Sequence, residues 1–226
     1  MIKPVFFIVG APKCGTTAMQ EYLRQHPDIF MPSFKESHHF ADDLLKPDDP
    51  FLGREKYLSL FAGAGEKKVA GEASVYYLFS KNAPLNIKLF RPDAKIIIML
   101  RNPVDLLYSR YSQLVYNGDE DILDFGACLA EGEKRRNGEL IPKHIRIEKK
   151  LLHHEVVKFT EQVKRYFDTF GRSNVHVIIY DDLKRDTTKV YRETLRFLNV
   201  DTSFQPTFKI INPNKRIRSK ALQRFL

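Results

Sequence analysis

Two periods organise the hydrophobic and polar positions of this chain. Val5 to Val9 are consecutive apolar residues, all β-branched or aromatic, and Gly10 ends the run; this is the pattern of a strand buried on both faces. Thr16 and Thr17 then open a stretch in which Met19, Tyr22 and Leu23 recur at helical spacing, and Pro27 stops it. Further along, Lys68 to Glu72, Lys95 to Leu100 and Val175 to Tyr180 read as strands, the second so apolar that it belongs at the centre of a parallel sheet. Helical patterns cover residues 54–61, 82–90, 104–116 and 151–170, and Asp186 is placed to cap another through Leu198. Pro103 falls near the first position of the helix that follows Leu100. Residues 29–40 and 42–54 read as connections, and 74–79 as an aromatic-lined segment.

Strands alternating with helices predict an α/β fold of three layers, with a central parallel sheet and right-handed crossovers. Ligands in such sheets bind at the carboxyl ends of the strands, so the loops after Val9, Glu72 and Leu100 are expected to share one crevice. At 226 residues the chain is expected to be a single domain spanning 1–226. Its helical pattern still runs at residue 226, which suggests that the natural protein extends further.

The first strand, its glycine loop and the following helix form an anion site. The helix start offers unpaired N–H groups and the positive end of its dipole, Gly10 and Gly15 allow close approach, and Lys13 adds a charge. Four residues separate the two glycines, as in the phosphate loop G-x-x-x-x-G-K-[ST], but Thr16 stands where that lysine belongs and no acidic strand end for Mg²⁺ is evident. The plain alternative is an ordinary strand-loop-helix turn with a surface lysine.

Charge and composition narrow the partners. A formal net charge of +9 calls for an anionic ligand, yet the basic residues mostly alternate with acids and no aromatic-basic ribonucleoprotein motif or zinc finger is present, so nucleic acid is not expected. A small polyanion with an acceptor explains the charge as well. Residues 134–150 hold seven Lys/Arg against two Glu, with Gly138 and Pro142 breaking any helix, and read either as a mobile basic flap at the substrate or as a solvated loop. No run reaches membrane-spanning length and no signal peptide precedes the first strand. With only Cys14 and Cys128, neither a disulfide framework nor a zinc site is expected, and a reducing compartment follows. Cys14, at an electropositive helix start, reads as a reactive thiol or as a small residue filling a tight loop.

Two motifs together resemble the sulfotransferases that use 3′-phosphoadenosine 5′-phosphosulfate (PAPS). APKCGTT at 11–17 is similar to their 5′-phosphosulfate loop, and IIIMLRNPVDLLYSRYSQ at 96–113 to their 3′-phosphate motif. TTAMQEYLRQHPDIFMPSFKESHHF, from residue 16, resembles the heparan-sulfate branch and its bacterial relatives, and YDDLKRD at 180–186 the family's YEDL segment. The resemblance implies the P-loop NTPase-like sulfotransferase fold and transfer of a sulfuryl group from PAPS to a hydroxyl or amine, without a metal. It implies donor contacts from Pro12, Lys13, Cys14, Gly15, Thr16 and Thr17, and 3′-phosphate contacts from Arg101 and Ser109.

Lys13 is then expected to stabilise the leaving phosphate. Glu36 is expected to be the general base, with His38 and His39 competing for that role, and Lys35, Glu36 and Glu72 to meet the acceptor. Glu72 alternatively fixes Lys13 or makes a plain salt bridge. Two departures stand out: Ala18 replaces the adenine-stacking Trp of the cytosolic branch, and the C-terminal basic loop is reduced to Lys215, Arg216 and Arg218. The acceptor is expected to be a small molecule, glycan or lipid, and the setting cytoplasmic, or the Golgi lumen if an N-terminal anchor has been removed. A P-loop kinase or NTPase is the alternative enzyme, and a polyanion-binding module the non-catalytic one.

Overall fold

The computed structural model of the protein describes residues 3–209 and 211. Strand β1 (Phe6–Gly10) is buried at every residue, as its unbroken apolar run requires, and leads into helix α1 (Thr16–Arg24). A two-residue strand β2 (Ile29–Phe30), helix α2 (Arg54–Ser59) and strand β3 (Val69–Ala73) come next. Helix α3 (Ala83–Phe90), strand β4 (Lys95–Leu100) and helix α4 (Pro103–Tyr116) follow. Three short helices, α5 (Phe125–Ala130), α6 (Gly132–Arg136) and α7 (His153–Val156), precede the longer α8 (Phe159–Phe170). Strand β5 (Val175–Ile179) and helices α9 (Tyr180–Arg185) and α10 (Thr187–Leu198) close the series.

The five strands make one parallel sheet in the order β2-β3-β1-β4-β5. Central β1 sets Phe6 beside Gly71 of β3 and Lys95 of β4. Helix α1 packs on β1 and β3 and meets α10, where the Tyr191 hydroxyl donates to the Tyr22 carbonyl at 3.5 Å. Helix α8 packs on β4 and β5 and against α3. Right-handed crossovers set these two pairs on opposite faces, which gives the three layers. Because the chain leaves β1 toward one side of the sheet and β4 toward the other, a crevice opens above their carboxyl ends. The local signals hold where they were strongest: Asn102 accepts from the Val104 N–H at 2.9 Å ahead of Pro103, and Asp186 accepts from the Lys189 N–H at 2.9 Å.

Four stretches differ from the sequence reading. Ile29–Phe30, inside an expected connection, pairs with Val69–Ala70 as an edge strand. The helix expected over 151–170 is broken into α7 and α8 at Val157 and Lys158, although both pieces bury the same apolar stripe. Tyr180 begins a helix instead of ending a strand. The basic stretch 134–150 is pinned to the body of the protein. Arg135 pairs with Glu120 at 2.5 Å, Arg146 with Asp49 at 2.6 Å, and Lys150 with Asp119 at 2.9 Å.

The β1–β3 register fixes one further requirement. A Cβ at Gly71 would lie 2.1 Å from Cζ of Phe6, a ring with no exposed surface and therefore no room to retreat. Gly71→Ala is expected to cost about 2 kcal/mol or more through overpacking, read as a lower urea midpoint with an unchanged slope. An unaltered midpoint would show that β1 and β3 can separate freely.

Candidate active site

The loop between β1 and α1 is shaped by contacts that exclude side chains. Gly10 has φ 151°, and a Cβ there would stand 2.6 Å from the Val75 carbonyl oxygen. The Ala11 N–H donates to the Met99 carbonyl at 2.6 Å, which ties the loop to β4. The chain then turns through Lys13 at φ 61° and Gly15 at φ 84°, and no side chain caps the start of α1. Its first-turn N–H groups and dipole therefore face the crevice as an anion site. Cys14 is the loop member that turns inward: it is fully buried, its Sγ lies 3.4 Å from the Pro12 carbonyl, and burial pushes its thiol up to about 12. It fills the loop and is no nucleophile.

The crevice is a cleft of about 630 Å³ that borders on Pro12, Lys13, Gly15, Thr16 and Thr17 on one side and on Arg101 and Ser109 on the other. Arg101 leaves the end of β4, and its guanidinium carbon lies 5.1 Å from the centre of the Tyr180 ring. The same ring would be 3.2 Å from a Cβ at Gly15, so Tyr180 lies against both the 10–17 loop and Arg101. Ser109 lies in the second turn of α4 and is buried at the cleft wall. Gln113, one turn further, accepts from Lys13 Nζ at 3.3 Å. Lys215, Arg216 and Arg218 lie outside the described residues.

Lys35 and Glu36 complete the cleft. Lys35 Nζ donates to the Thr16 and Thr17 hydroxyls at 3.2 and 3.0 Å and lies 2.9 Å from Glu36 Oε1. Glu36 Oε2 accepts from the Val75 N–H at 2.9 Å and faces His38 Nε2 at 3.3 Å. Burial alone would raise the Glu36 carboxyl, but Lys35, His38 and the Val75 N–H outweigh it and hold it below the usual carboxylate range. Both Glu36 (φ 66°) and His38 (φ 55°) sit in the left-handed region, a strain the surroundings must offset. Arg146 supplies part of that support by donating to the Glu36 and Ser37 carbonyls, each at 2.8 Å.

The other titratable groups expected at the acceptor have different surroundings. Glu72 is 2% exposed and does not border the cleft. Its oxygens accept from Ser37, Ser74, Tyr57 and Tyr77 at 2.6 to 3.1 Å, and burial raises its carboxyl against those bonds. Its place away from the cleft and its four hydroxyl partners make it a buried hydrogen-bond centre, where a place at the acceptor was expected. His39 Nδ1 lies 2.5 Å from the Phe51 carbonyl and its ring stacks on Tyr57 at 4.1 Å, which makes it a packing residue. His38 is buried behind Glu36, and burial pushes its imidazole down to about 4, so it is neutral near pH 7. Sequence reasoning passed over Tyr76, Arg110, Gln113 and Asp119, which also border the cleft, as does Lys150 from the basic 134–150 stretch. Gln113 carried a signal, because it lies four residues after Ser109 on one helical face, whereas Arg110, next to Ser109 in sequence, does not share that face.

Residues 3–216 match the family model described as sulfotransferase domain. The chain is 33% identical over 149 residues to carbohydrate sulfotransferase 15 of Mus musculus, covering 48% of this chain and 27% of that protein. It is 34% identical over 110 residues to heparan sulfate glucosamine 3-O-sulfotransferase 6 of Homo sapiens, covering 49% of this chain and 30% of that one. It thus spans less than a third of the length of these curated relatives. The solved sulfotransferase from Alicyclobacillus acidocaldarius superimposes with a TM-score of 0.83 at 37% identity, over 94% of this chain and 87% of the other. Mouse sulfotransferase SULT7A1, solved in complex with PAP, shares the fold with a TM-score of 0.55 at 21% identity, over 88% of this chain and 59% of the other. With a strand-end anion loop, a second cationic site across the same cleft and a family match over nearly the whole chain, this protein belongs to the sulfotransferase domain family.

Proposed function

We propose that the protein transfers a sulfuryl group from PAPS to a hydroxyl or amine of an acceptor, without a metal. The observation that carries this reading is the pair of anion-binding elements, the 10–17 loop and Arg101 with Ser109, set across one cleft with Tyr180 against both. A nucleotide with phosphates at both ends of its ribose needs such a pair, and a volume of about 630 Å³ suits a ligand of that size. The complex of a same-fold sulfotransferase with PAP supports the donor. The names of the curated relatives, which specify carbohydrate and heparan sulfate, support a glycan acceptor.

Each residue has a task in that reaction. The α1 N–H groups and Lys13 stabilise the charge that grows on the leaving phosphate oxygen as the sulfur–oxygen bond breaks. Glu36 takes the proton from the acceptor as its oxygen or nitrogen bonds to sulfur. In the structure Lys35 neutralises Glu36 while also holding Thr16 and Thr17. An anion at the two threonines competes for that ammonium, and its withdrawal lets the Glu36 carboxyl rise toward the basicity that the proton transfer needs. Phosphoryl transfer fits less well: the loop cation is at 13, and the cleft carboxylates Glu36 and Asp119 are both paired with lysines.

Adenosine 3′,5′-bisphosphate is expected to stabilise the protein far more than ADP does, by about 2.7 kcal/mol at a hundredfold excess over its Kd. Thermal melts measure the difference, and Arg101→Ala should erase most of it. Equal shifts for ADP and the bisphosphate would sink the donor assignment.

Glu36→Gln keeps size and hydrogen bonding but loses basicity. Single-turnover transfer from labelled PAPS to an acceptor found by screening is expected to fall about 100-fold, with bisphosphate affinity near wild type. A variant that transfers at the wild-type rate would remove Glu36 from the reaction.

A further inference from the structure

Behind the α4 wall of the cleft lies a buried polar group that the reaction above does not use. Glu120, Cys128 and His153 each offer a ligand atom within 4.8 Å of the others, the arrangement of a small metal site. Their partners argue against a cation. Arg135 occupies both Glu120 oxygens, at 2.5 and 2.6 Å, and the Cys128 thiol donates to the same carboxylate at 3.1 Å. Burial and Glu120 together push that thiol up to about 12, so no thiolate is on offer near neutral pH. His153 Nε2 lies 3.3 Å from Glu120 Oε2, which leaves Nδ1 to accept from Arg110 Nη1 at 2.9 Å. Burial holds the His153 imidazole below its ordinary range, hence neutral.

The charge count is what matters here. Two guanidinium groups, Arg135 and Arg110, stand against one buried carboxylate, and Arg135 already has it, with the exposed Asp121 also 4.0 Å from Arg135. The neighbouring ions cancel among themselves: Lys150 with Asp119, Arg146 with Asp49, and Lys35 with Glu36. Among the described residues, no carboxylate lies within ion-pair distance of Arg110. Arg110 is 1% exposed and borders the cleft, yet its Nε and Nη2 have no hydrogen-bond partner. A buried, uncompensated guanidinium with idle donors is unfavourable unless an anion completes it.

Its position says whose anion that is. The Arg110 guanidinium lies 5.9 Å from the Tyr76 ring, and Tyr76 in turn packs on His38 at 5.6 Å, behind the proposed base. This is the Glu36 side of the cleft, whereas Arg101 and Tyr180 form the opposite end. Resting on the sulfotransferase reading, we propose that Arg110 is a specificity residue that binds an oxyanion carried by the acceptor, a carboxylate or a sulfate ester, through Nε and Nη2. The planar edge of a guanidinium matches the two oxygens of either group. Tyr76 and Lys150, at the same wall, yield to admit it, and Lys150 adds a second cation once it leaves Asp119.

Calorimetric titration of the protein saturated with adenosine 3′,5′-bisphosphate tests this, with D-glucuronate, glucose 6-sulfate and methyl glucoside as probes. At least one anionic sugar is expected to bind tenfold or more tightly than the neutral glycoside, and the tighter of the two identifies carboxylate or sulfate ester. Arg110→Gln should abolish the preference with bisphosphate affinity unchanged. Equal binding of charged and neutral sugars, or a preference that survives the substitution, overturns the proposal. A loss of bisphosphate affinity in Arg110→Gln also overturns it, by assigning Arg110 to the donor. Should that variant fail to fold, Arg110→Lys keeps the charge without the planar fork; its preference should fall at least threefold, and an unchanged preference is again fatal. Wild-type protein that does not bind the bisphosphate counts against the donor reading instead, and the sugar titrations on ligand-free protein then decide the Arg110 proposal by the same comparisons.

Discussion

A carboxylate taken out of water costs several kcal/mol unless its oxygens are satisfied, and in this protein Glu72 is satisfied by hydroxyls from four places in the chain. Ser74 and Tyr77 follow it directly, Tyr57 comes from α2, and Ser37 comes from the connection after β2. Those bonds fasten the 37–40 segment onto β3. The N–H of His38 also donates to Ser74 Oγ at 3.1 Å, and the Glu36 N–H to the Ala73 carbonyl at 3.1 Å. Held this way, Glu36 and His38 tolerate left-handed backbone angles, and the Glu36 carboxylate stands beside the loop after β1 instead of moving with a free connection. Removing the central acceptor would leave several buried hydroxyls without a partner at once, which explains why a charged residue is kept where an apolar one would be easier to bury.

Much of the frame was legible because it depends on local patterns. The strands at 5–9, 95–100 and 175–179 are continuous apolar runs, the glycine loop has fixed spacing, and Asn102-Pro103 and Asp186 are helix-start signals. Arg101 and Ser109 were legible as a pair through the resemblance of residues 96–113 to a 3′-phosphate motif, and the strand end and the helix after it bring both to the cleft. What escaped depends on partners far away in sequence. Glu72 was read as a cleft residue because nothing in VAGEA shows that hydroxyls from residues 37 and 57 will surround it. The stretch 134–150 read as a mobile basic flap or a solvated loop because its counter-ions are Glu120, Asp119 and Asp49, far away in sequence. The break at Val157 and Lys158 was hidden by an apolar period that runs unbroken through it.

Cationic groups in the cleft divide by what they already hold. Lys35 is shared between threonine hydroxyls and a carboxylate, Arg101 rests on an aromatic face with Asp105 at 3.7 Å, and Arg110 is fixed through one nitrogen. Electrostatic groups arranged before a ligand arrives need little reorganisation when charge develops, and this is where a fixed scaffold exceeds water as a medium for group transfer. The sheet supplies that fixity, since β1, β3 and β4 each send one wall of the cleft from a strand end hydrogen-bonded to its neighbour.

The Arg146 clamp carries a consequence for the order of opening. Its bonds to the Glu36 and Ser37 carbonyls and to Asp49 close loops of about a hundred residues, comparable to the separation of the paired Phe6 and Lys95, but they are made by a partly exposed side chain, whereas the strand ladders of β1 and β4 are buried. Bonds of that kind open at a lower free energy than a buried ladder. The scaffold can therefore stay intact with the acceptor side unlatched, and that latch is a natural first point of release. Hydrogen exchange in the 36–49 and 134–150 segments would then proceed by local opening, at a lower free energy than exchange from β1 and β4, so that competence for catalysis and global foldedness are separate properties of one chain.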